Sequence, residues 1–355
     1  MAVKVIENNF CREENKMSGQ SRNISEEFKW SGNQNSNRFQ LAPGTVVEFA
    51  GRKEGRRIIT TRDDYFRRLS TFDKSARMLA VSGISETGYR KFLAKCVIDW
   101  NEEEKQKIIP ILEVFSKEVA SHYLPFPCKV PLVRTSGEEE IHAAYTRANA
   151  IFLPHYFVND AEPQILAEVI RHEFFHVLTR ANPNLRDKLY KIIGFERSGE
   201  VKFPQPLRGR IITNPDAPVN DHCIKVGYKG DKVRAMPVLF ADDDFDPAEK
   251  KSLFDYLCFR LLLVEPSDSS PGLVPVYRNG SPVLVEAHET DGFYEQIGHN
   301  TKYIWHPEEI LADNFVQLVM GSEELPSPFV VQRMAETFRQ NNQPASLPAE
   351  PVMAV

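Results

Sequence analysis

The sequence contains no uninterrupted apolar run of about 18 residues, which excludes a helix crossing a bilayer as one hydrophobic segment. Cysteine is scarce. The five, Cys11, Cys96, Cys128, Cys223 and Cys258, are widely scattered and include no CxxC pair. That gives no sign of a disulfide framework, leaves the cysteines as small buried hydrophobes, and fits a reducing compartment. A surplus of positive charge is also missing. Against 44 Lys and Arg stand 49 Asp and Glu, a net charge of −5, so there is no electrostatic footprint for nucleic acid or an anionic membrane. The first ten residues lack the apolar core of a secretory signal. The expected location is cytoplasmic, with export by a route that needs no cleavable signal left open. No internal repeat is visible.

What is present is the composition of a soluble globular protein, 42% apolar and 26% charged. A chain of 355 residues buries a large core and suggests about two domains. Residues 1–40 are rich in Asn, Ser, Gln and Glu and read as a disordered leader, and 341–355 as a disordered tail. Residues 41–124 read as mostly helical, with helices over 62–71, 86–98 and 101–122, the last kinked at Pro110. Before them, 45–50 and 57–60 are expected to pair as a hairpin around Gly51–Gly55. Residues 125–340 form the second region. Strands are expected at 129–134, at 143–154, and, in a β-rich insertion spanning 200–290, at 222–228, 235–240 and 273–287. Asn279-Gly280 is a hairpin signal within the last of these. The apolar stretch 253–264 fits helix or strand equally.

The chemistry is concentrated at His172-Glu173-Phe174-Phe175-His176, an HExxH pattern. Two histidines four residues apart project from one face of a helix and can grip one metal ion, and the glutamate beside the first reaches a water on that ion. The flanking sequence supports a helix. Asp160 is a candidate N-cap, Pro163 suits the first turn, and Asn182-Pro183 stops it. Ile165, Val169, His172 and His176 share one stripe, and Leu166, Ile170, Val177 and Leu178 an adjacent one. A helix apolar on most sides is buried, and two histidines with a glutamate inside it need a shared purpose. Zinc is the expected ion.

A catalytic zinc takes a third protein ligand and keeps one position for water. Two candidates stand out. Glu309 opens a second helix after Pro307, with Asp313 one turn further on to orient a ligand histidine. Glu196 lies only twenty residues after His176, but in the turn-like Ile193–Gly199, without a helical platform. Helical context and the paired carboxylate favour Glu309.

HEFFH with a downstream Glu-x-x-x-Asp resembles the gluzincin branch of the zincin metallopeptidases, the thermolysin-like arrangement. The resemblance covers roughly residues 125–325. It implies an α+β zincin-like catalytic domain with a mixed sheet and an active-site helix, behind a helical N-terminal part. It also implies His172, His176 and Glu309 as zinc ligands, Glu173 as general base and Asp313 as the carboxylate supporting a ligand histidine. The strand before the helix would form the rim of the cleft and pair with an extended peptide. One departure is the gap: 309 − 176 = 133 residues separate the last histidine from the glutamate, far more than in thermolysin-like enzymes.

Transition-state stabilisation needs a donor besides the metal. Tyr294, His299, Tyr303 and His306 precede the second helix and form the natural pool, Tyr303 and His306 foremost, with His222 as an outlier. Asp242–Asp246 lacks the spacing of a calcium loop and reads as a solvated acidic turn. The expected activity is zinc-dependent peptide-bond hydrolysis acting on a peptide or protein. Two alternatives are a non-catalytic zincin-fold binding protein and an exported effector peptidase with one target.

Overall fold

In a computed structural model the described residues are 37–80, 83–122, 124–249, 252–268 and 272–341. The expected leader up to residue 36, and the expected tail from 342, lie outside them. The protein is α+β.

The described residues open with β1 (Arg38–Ala42) and β2 (Thr45–Ala50), an antiparallel pair turning at Gly44, whose φ of +83° only glycine adopts readily. The expected hairpin between 45–50 and 57–60 is therefore corrected: the partner of β2 lies before it, and Arg52–Ile59 is a helix, α1. Gly55 lets α1 approach the sheet, because a Cβ there would stand 2.8 Å from the Val97 side chain and 2.9 Å from that of Val133. The single helix expected at 62–71 is two short ones, α2 (Asp64–Arg68) and α3 (Thr71–Met78). Asp63 caps the first, and Ser70 forms a capping box with Asp73 on the second, so the chain restarts its helix between them. α4 (Glu86–Cys96) and α5 (Glu102–Ala120) follow close to expectation, and Asn101 caps α5 through a box with Glu104.

Next come β3 (Lys129–Thr135), β4 (Tyr145–Arg147) and β5 (Ala150–Pro154). The stretch 143–154, expected as one strand, breaks at Ala148 (φ +51°) into the antiparallel pair β4–β5. The first sheet has the order β1-β2-β3-β5-β4. Its centre, β2-β3-β5, is parallel, and β4 is an antiparallel edge. Both faces are covered, as a parallel core requires. Val130, Leu132, Ile151 and Leu153 point into one cluster with α5, and Val133, Ala150 and Phe152 into another with residues of α1, α2 and α4.

After the short helix α6 (His155–Asn159) comes α7 (Pro163–Ala181), carrying HExxH, and then α8 (Pro183–Ile192). β6 (Phe195–Arg197) follows, and the expected insertion over 200–290 carries α9 (Gln205–Arg208), β7 (His222–Tyr228), β8 (Asp231–Ala241), β9 (Leu257–Pro266), β10 (Leu273–Pro275), β11 (Tyr277–Arg278), β12 (Ser281–Pro282) and β13 (Leu284–Val285). β6 to β10 form an antiparallel sheet in the order β10-β9-β8-β7-β6, with β13 also on β9. The ambiguous 253–264 resolves into a 3₁₀ turn followed by β9. Asn279-Gly280 turns β11 into β12 with both residues at positive φ, as that dipeptide favours. The described residues end with α10 (Phe293–Ile297), α11 (Pro307–Val319) and α12 (Pro328–Asn341). α7 packs against β4 and β5 on one side and α11 on the other, so HExxH faces the edge of the first sheet. Among the described residues no helix is long and apolar enough to cross a membrane.

Candidate metal centre

α7 begins at Pro163, whose missing N–H costs nothing in the first turn. Asp160, the expected N-cap, instead ends α6, and the N-cap position falls to Glu162. The helix is fixed by packing: Val169, Ile170, Phe174, Phe175, Val177 and Leu178 have essentially no exposed surface. Arg171 ties it to α5 through two 2.8 Å contacts with the Glu118 carboxylate. His172, Glu173 and His176 are buried to 1%, 1% and 0% exposure. Burying three ionisable groups is unfavourable by several kcal/mol each unless partners compensate.

The partners come from α11. His306 caps that helix, its Nδ1 accepting the Glu308 N–H at 3.1 Å. Glu308 and Glu309 then occupy the first turn, where the helix dipole favours carboxylates. Glu309 Oε2 lies 3.0 Å from His172 Nε2 and 3.7 Å from His176 Nε2. One turn later, Asp313 Oδ1 lies 2.9 Å from His172 Nδ1, while the Thr301 hydroxyl donates to Oδ2. Glu308 does the same for the second ring, with Oε1 3.0 Å from His176 Nδ1. Glu308 is itself held by the hydroxyls of Thr179 and, at 2.6 Å, Tyr190. Each imidazole thus has its Nδ1 engaged by a carboxylate, and both Nε2 atoms turn toward Glu309.

The charges follow. Burial alone would lower the His172 pKa, but bonds to Asp313 and Glu309 outweigh it and raise it to about 9. Burial opposes ionisation of Glu309 and Asp313, yet the histidines hold both low, Asp313 at about 2. A cation is wanted here, and a proton on His172 stands where a metal would. Burial raises the Glu173 pKa, the two histidines pulling it back. The Thr146 hydroxyl of β4 donates to Glu173 Oε2 at 2.8 Å. A cavity of about 60 Å³ opens onto His172, Glu173 and Glu309, walled by Tyr145, Asn214, Asp216, Tyr303 and Trp305. The Tyr303 ring lies nearly parallel to that of His172, with centroids 6.3 Å apart. Burial, then Glu309, raises its pKa far above the usual phenol range, so it stays a donor.

Comparison with protein-family models, curated proteins and solved structures finds no match. Function therefore rests on the geometry alone.

The other candidates sit elsewhere. Glu196 is exposed on β6, bonded to Lys225 Nζ at 2.9 Å. His306 does not line the cavity of Glu173. Burial lowers its pKa to about 4, which keeps Nδ1 unprotonated as the helix cap. Tyr294 and His299 stack on each other at 6.2 Å, away from the cavity. His222 is held by Asp221 at 2.7 Å and Asp187 at 3.2 Å behind α8. In Asp242–Asp246 the carboxylates of Asp243 and Asp246 accept from nearby turn N–H groups, those of Asp244 and Ala248, each at 2.8 Å. Sequence reasoning missed Thr146, Asn214, Asp216 and Glu308. Only Glu308 had a signal, as a second acid beside Glu309 on a helix carrying Asp313.

Proposed function

We propose that the chain is a zinc-dependent peptide hydrolase with a gluzincin-type site in a zincin-like catalytic domain. The observation that carries this reading is His176 Nε2, a fully buried nitrogen without a hydrogen-bond partner. Buried polar atoms are rarely orphaned. An imidazole whose Nδ1 is held by a carboxylate presents its Nε2 lone pair to a cation.

His172, His176 and Glu309 would hold the metal, a His₂Glu set that leaves one position for water. Glu308 and Asp313 orient the two rings. Zinc bound there supplies a Lewis acid and lowers the pKa of water toward neutrality. Thr146 fixes Glu173 Oε2, leaving Oε1 to take a proton from the attacking water and return it to the leaving amine. Its raised pKa suits both transfers. Tyr303, kept protonated, donates to the carbonyl oxygen as negative charge develops there. The edge strand β4, directly over α7, offers main-chain groups to an extended peptide. A cytoplasmic setting belongs to the proposal, since the described cysteines are free thiols.

Elemental analysis is expected to return about one zinc per chain. Glu173→Gln is expected to keep that zinc and lose hydrolysis of an unfolded protein by roughly 10²- to 10⁴-fold. Full activity in Glu173→Gln, or a wild-type chain that takes up no zinc, refutes the reading.

A further inference from the structure

Residues 213–216, between α9 and β7, run across the mouth of the site. We propose that Asp216 is a fourth protein ligand of the metal in the resting protein, and that an incoming peptide must displace it from β4. This rests on the zinc-hydrolase reading above.

The first observation is proximity. A carboxylate oxygen of Asp216, a ring nitrogen of His176 and a carboxylate oxygen of Glu309 all lie within 4.8 Å of one another. Ligand atoms around one tetrahedral zinc stand about 3–4 Å apart, so a closure of about an ångström would bring the three onto one ion. Glu173, Glu309 and Asp216 also line one cavity. Carboxylates facing one cavity repel one another unless a cation or a proton is shared among them.

The second observation is how the segment is fastened. Thr146 is the central residue of β4, whose outer edge would receive an extended peptide. Its N–H already donates to Asp216 Oδ1 at 2.6 Å, and its C=O accepts from Arg180 Nη1 at 3.2 Å. Arg180 Nη2 bonds the carbonyls of Pro215 at 3.0 Å and Asp216 at 2.6 Å. Arg180 therefore clamps this segment to the strand edge in place of a peptide. Asn214 donates to Glu309 Oε1 at 2.6 Å and accepts the Asp216 N–H at 2.9 Å, so the segment is built onto the ligand set itself. Its upstream end is anchored by Thr213, whose hydroxyl donates to the buried Asp73 at 2.8 Å.

The third observation is size. The space open to water centres is about 60 Å³, enough for a few ordered waters, and residues 213–216 form part of its wall. A peptide pairing with the β4 edge at Thr146 takes the place of Asp216, so residues 214–216 withdraw while Thr213 keeps the segment tethered. Withdrawal frees the Thr146 N–H for main-chain pairing and exchanges the Asp216 oxygen for water on the metal, with no covalent bond made or broken.

The test uses the full chain loaded with zinc or Co²⁺. Zinc affinity is read by chelator competition and coordination by the visible absorption of the cobalt form. Hydrolysis of an unfolded protein substrate is resolved into KM and kcat. Asp216→Ala is expected to bind zinc about 10- to 100-fold more weakly, to change the cobalt spectrum, and to show a KM several-fold below wild type. Asp216→Asn, near-isosteric and able to accept from Thr146, reports the ligand role should the alanine variant not fold. An unchanged cobalt spectrum and zinc affinity within about twofold of wild type in the folded variants overturn the ligand role. An unchanged or raised KM in Asp216→Ala overturns the displacement. His176→Ala separates the two levels. If wild type binds zinc and His176→Ala does not, the parent reading stands and the Asp216 results decide the inference. If wild type binds none, both fall.

Discussion

Glu308 is the sharpest place to test the geometry, because its role depends on contacts that neither neighbour in sequence shares. Its carboxylate is 2% exposed and meets His176 Nδ1 at 3.0 Å, the Tyr190 hydroxyl at 2.6 Å and the Thr179 hydroxyl. Glu308→Ala leaves those three groups buried without their acceptor. Each orphaned group is unfavourable by about 1–3 kcal/mol. Because the losses share one cavity and do not add fully, the expected destabilisation of the metal-free protein is about 3–5 kcal/mol. Metal binding suffers separately. His176 loses the partner that fixes its ring, which weakens zinc about 10- to 100-fold, or roughly 1.4–2.7 kcal/mol. Glu308→Gln keeps the shape and one acceptor, so it should recover most of the stability and only part of the zinc affinity. Urea denaturation with and without chelator measures the first quantity, and chelator competition the second. If both variants bind zinc within about twofold of wild type, Glu308 does not orient the ligand, and the two-helix account of the site is wrong.

Thr146→Val removes the hydroxyl on Glu173 Oε2. It is expected to leave zinc content unchanged, lower kcat about tenfold, and move the acidic limb of the pH–rate profile upward as Glu173 loses a bond to its charged form. Glu196→Ala should change neither zinc content nor activity, since that carboxylate meets Lys225 on the surface; loss of zinc would restore it as a ligand. His306 gives a pH signature. Its folded pKa, lowered by burial from 6.5 to about 4, means that the unfolded chain takes the proton first. Stability is then lost as pH falls from about 6.5 toward 4, by up to about 3 kcal/mol. Melting temperatures across that window should fall less steeply in His306→Asn, which can cap the helix without titrating; an identical slope in both proteins would contradict the assignment.

How far the site could be read beforehand depended on whether its signals were local. The HExxH spacing, the proline after the helix and the Glu309–Asp313 pair are features of single helices, and periodicity exposes them. β7, β8 and the Asn279-Gly280 turn were legible for the same reason. The split of 143–154 into β4 and β5 hinges on Ala148 at positive φ, which its residue type does not announce. The helix at Arg52–Ile59 won over the expected strand because Gly55 packs against Val97 and Val133, a tertiary contact. α12 went unread, although Val330, Met334 and Phe338 mark its buried stripe at a spacing of four. Thr146, Asn214 and Asp216 belong to an edge strand and an irregular segment. Only the fold brings them to the histidines.

The pairing of α7 with α11 also has a consequence for the order in which the chain is made. The two helices hold the two halves of one charge balance, yet 309 − 176 = 133 residues separate His176 from Glu309. Closing a loop of that length costs about 4 kcal/mol of chain entropy before any contact compensates it. A chain synthesised from its N-terminus carries both histidines long before it carries Glu308, Glu309 or Asp313. Until α11 arrives, the imidazoles lack the carboxylates that hold them, and the proposed zinc would lack its third ligand. The site is therefore a late event in biogenesis, and a growing chain passes through most of its length without a competent centre.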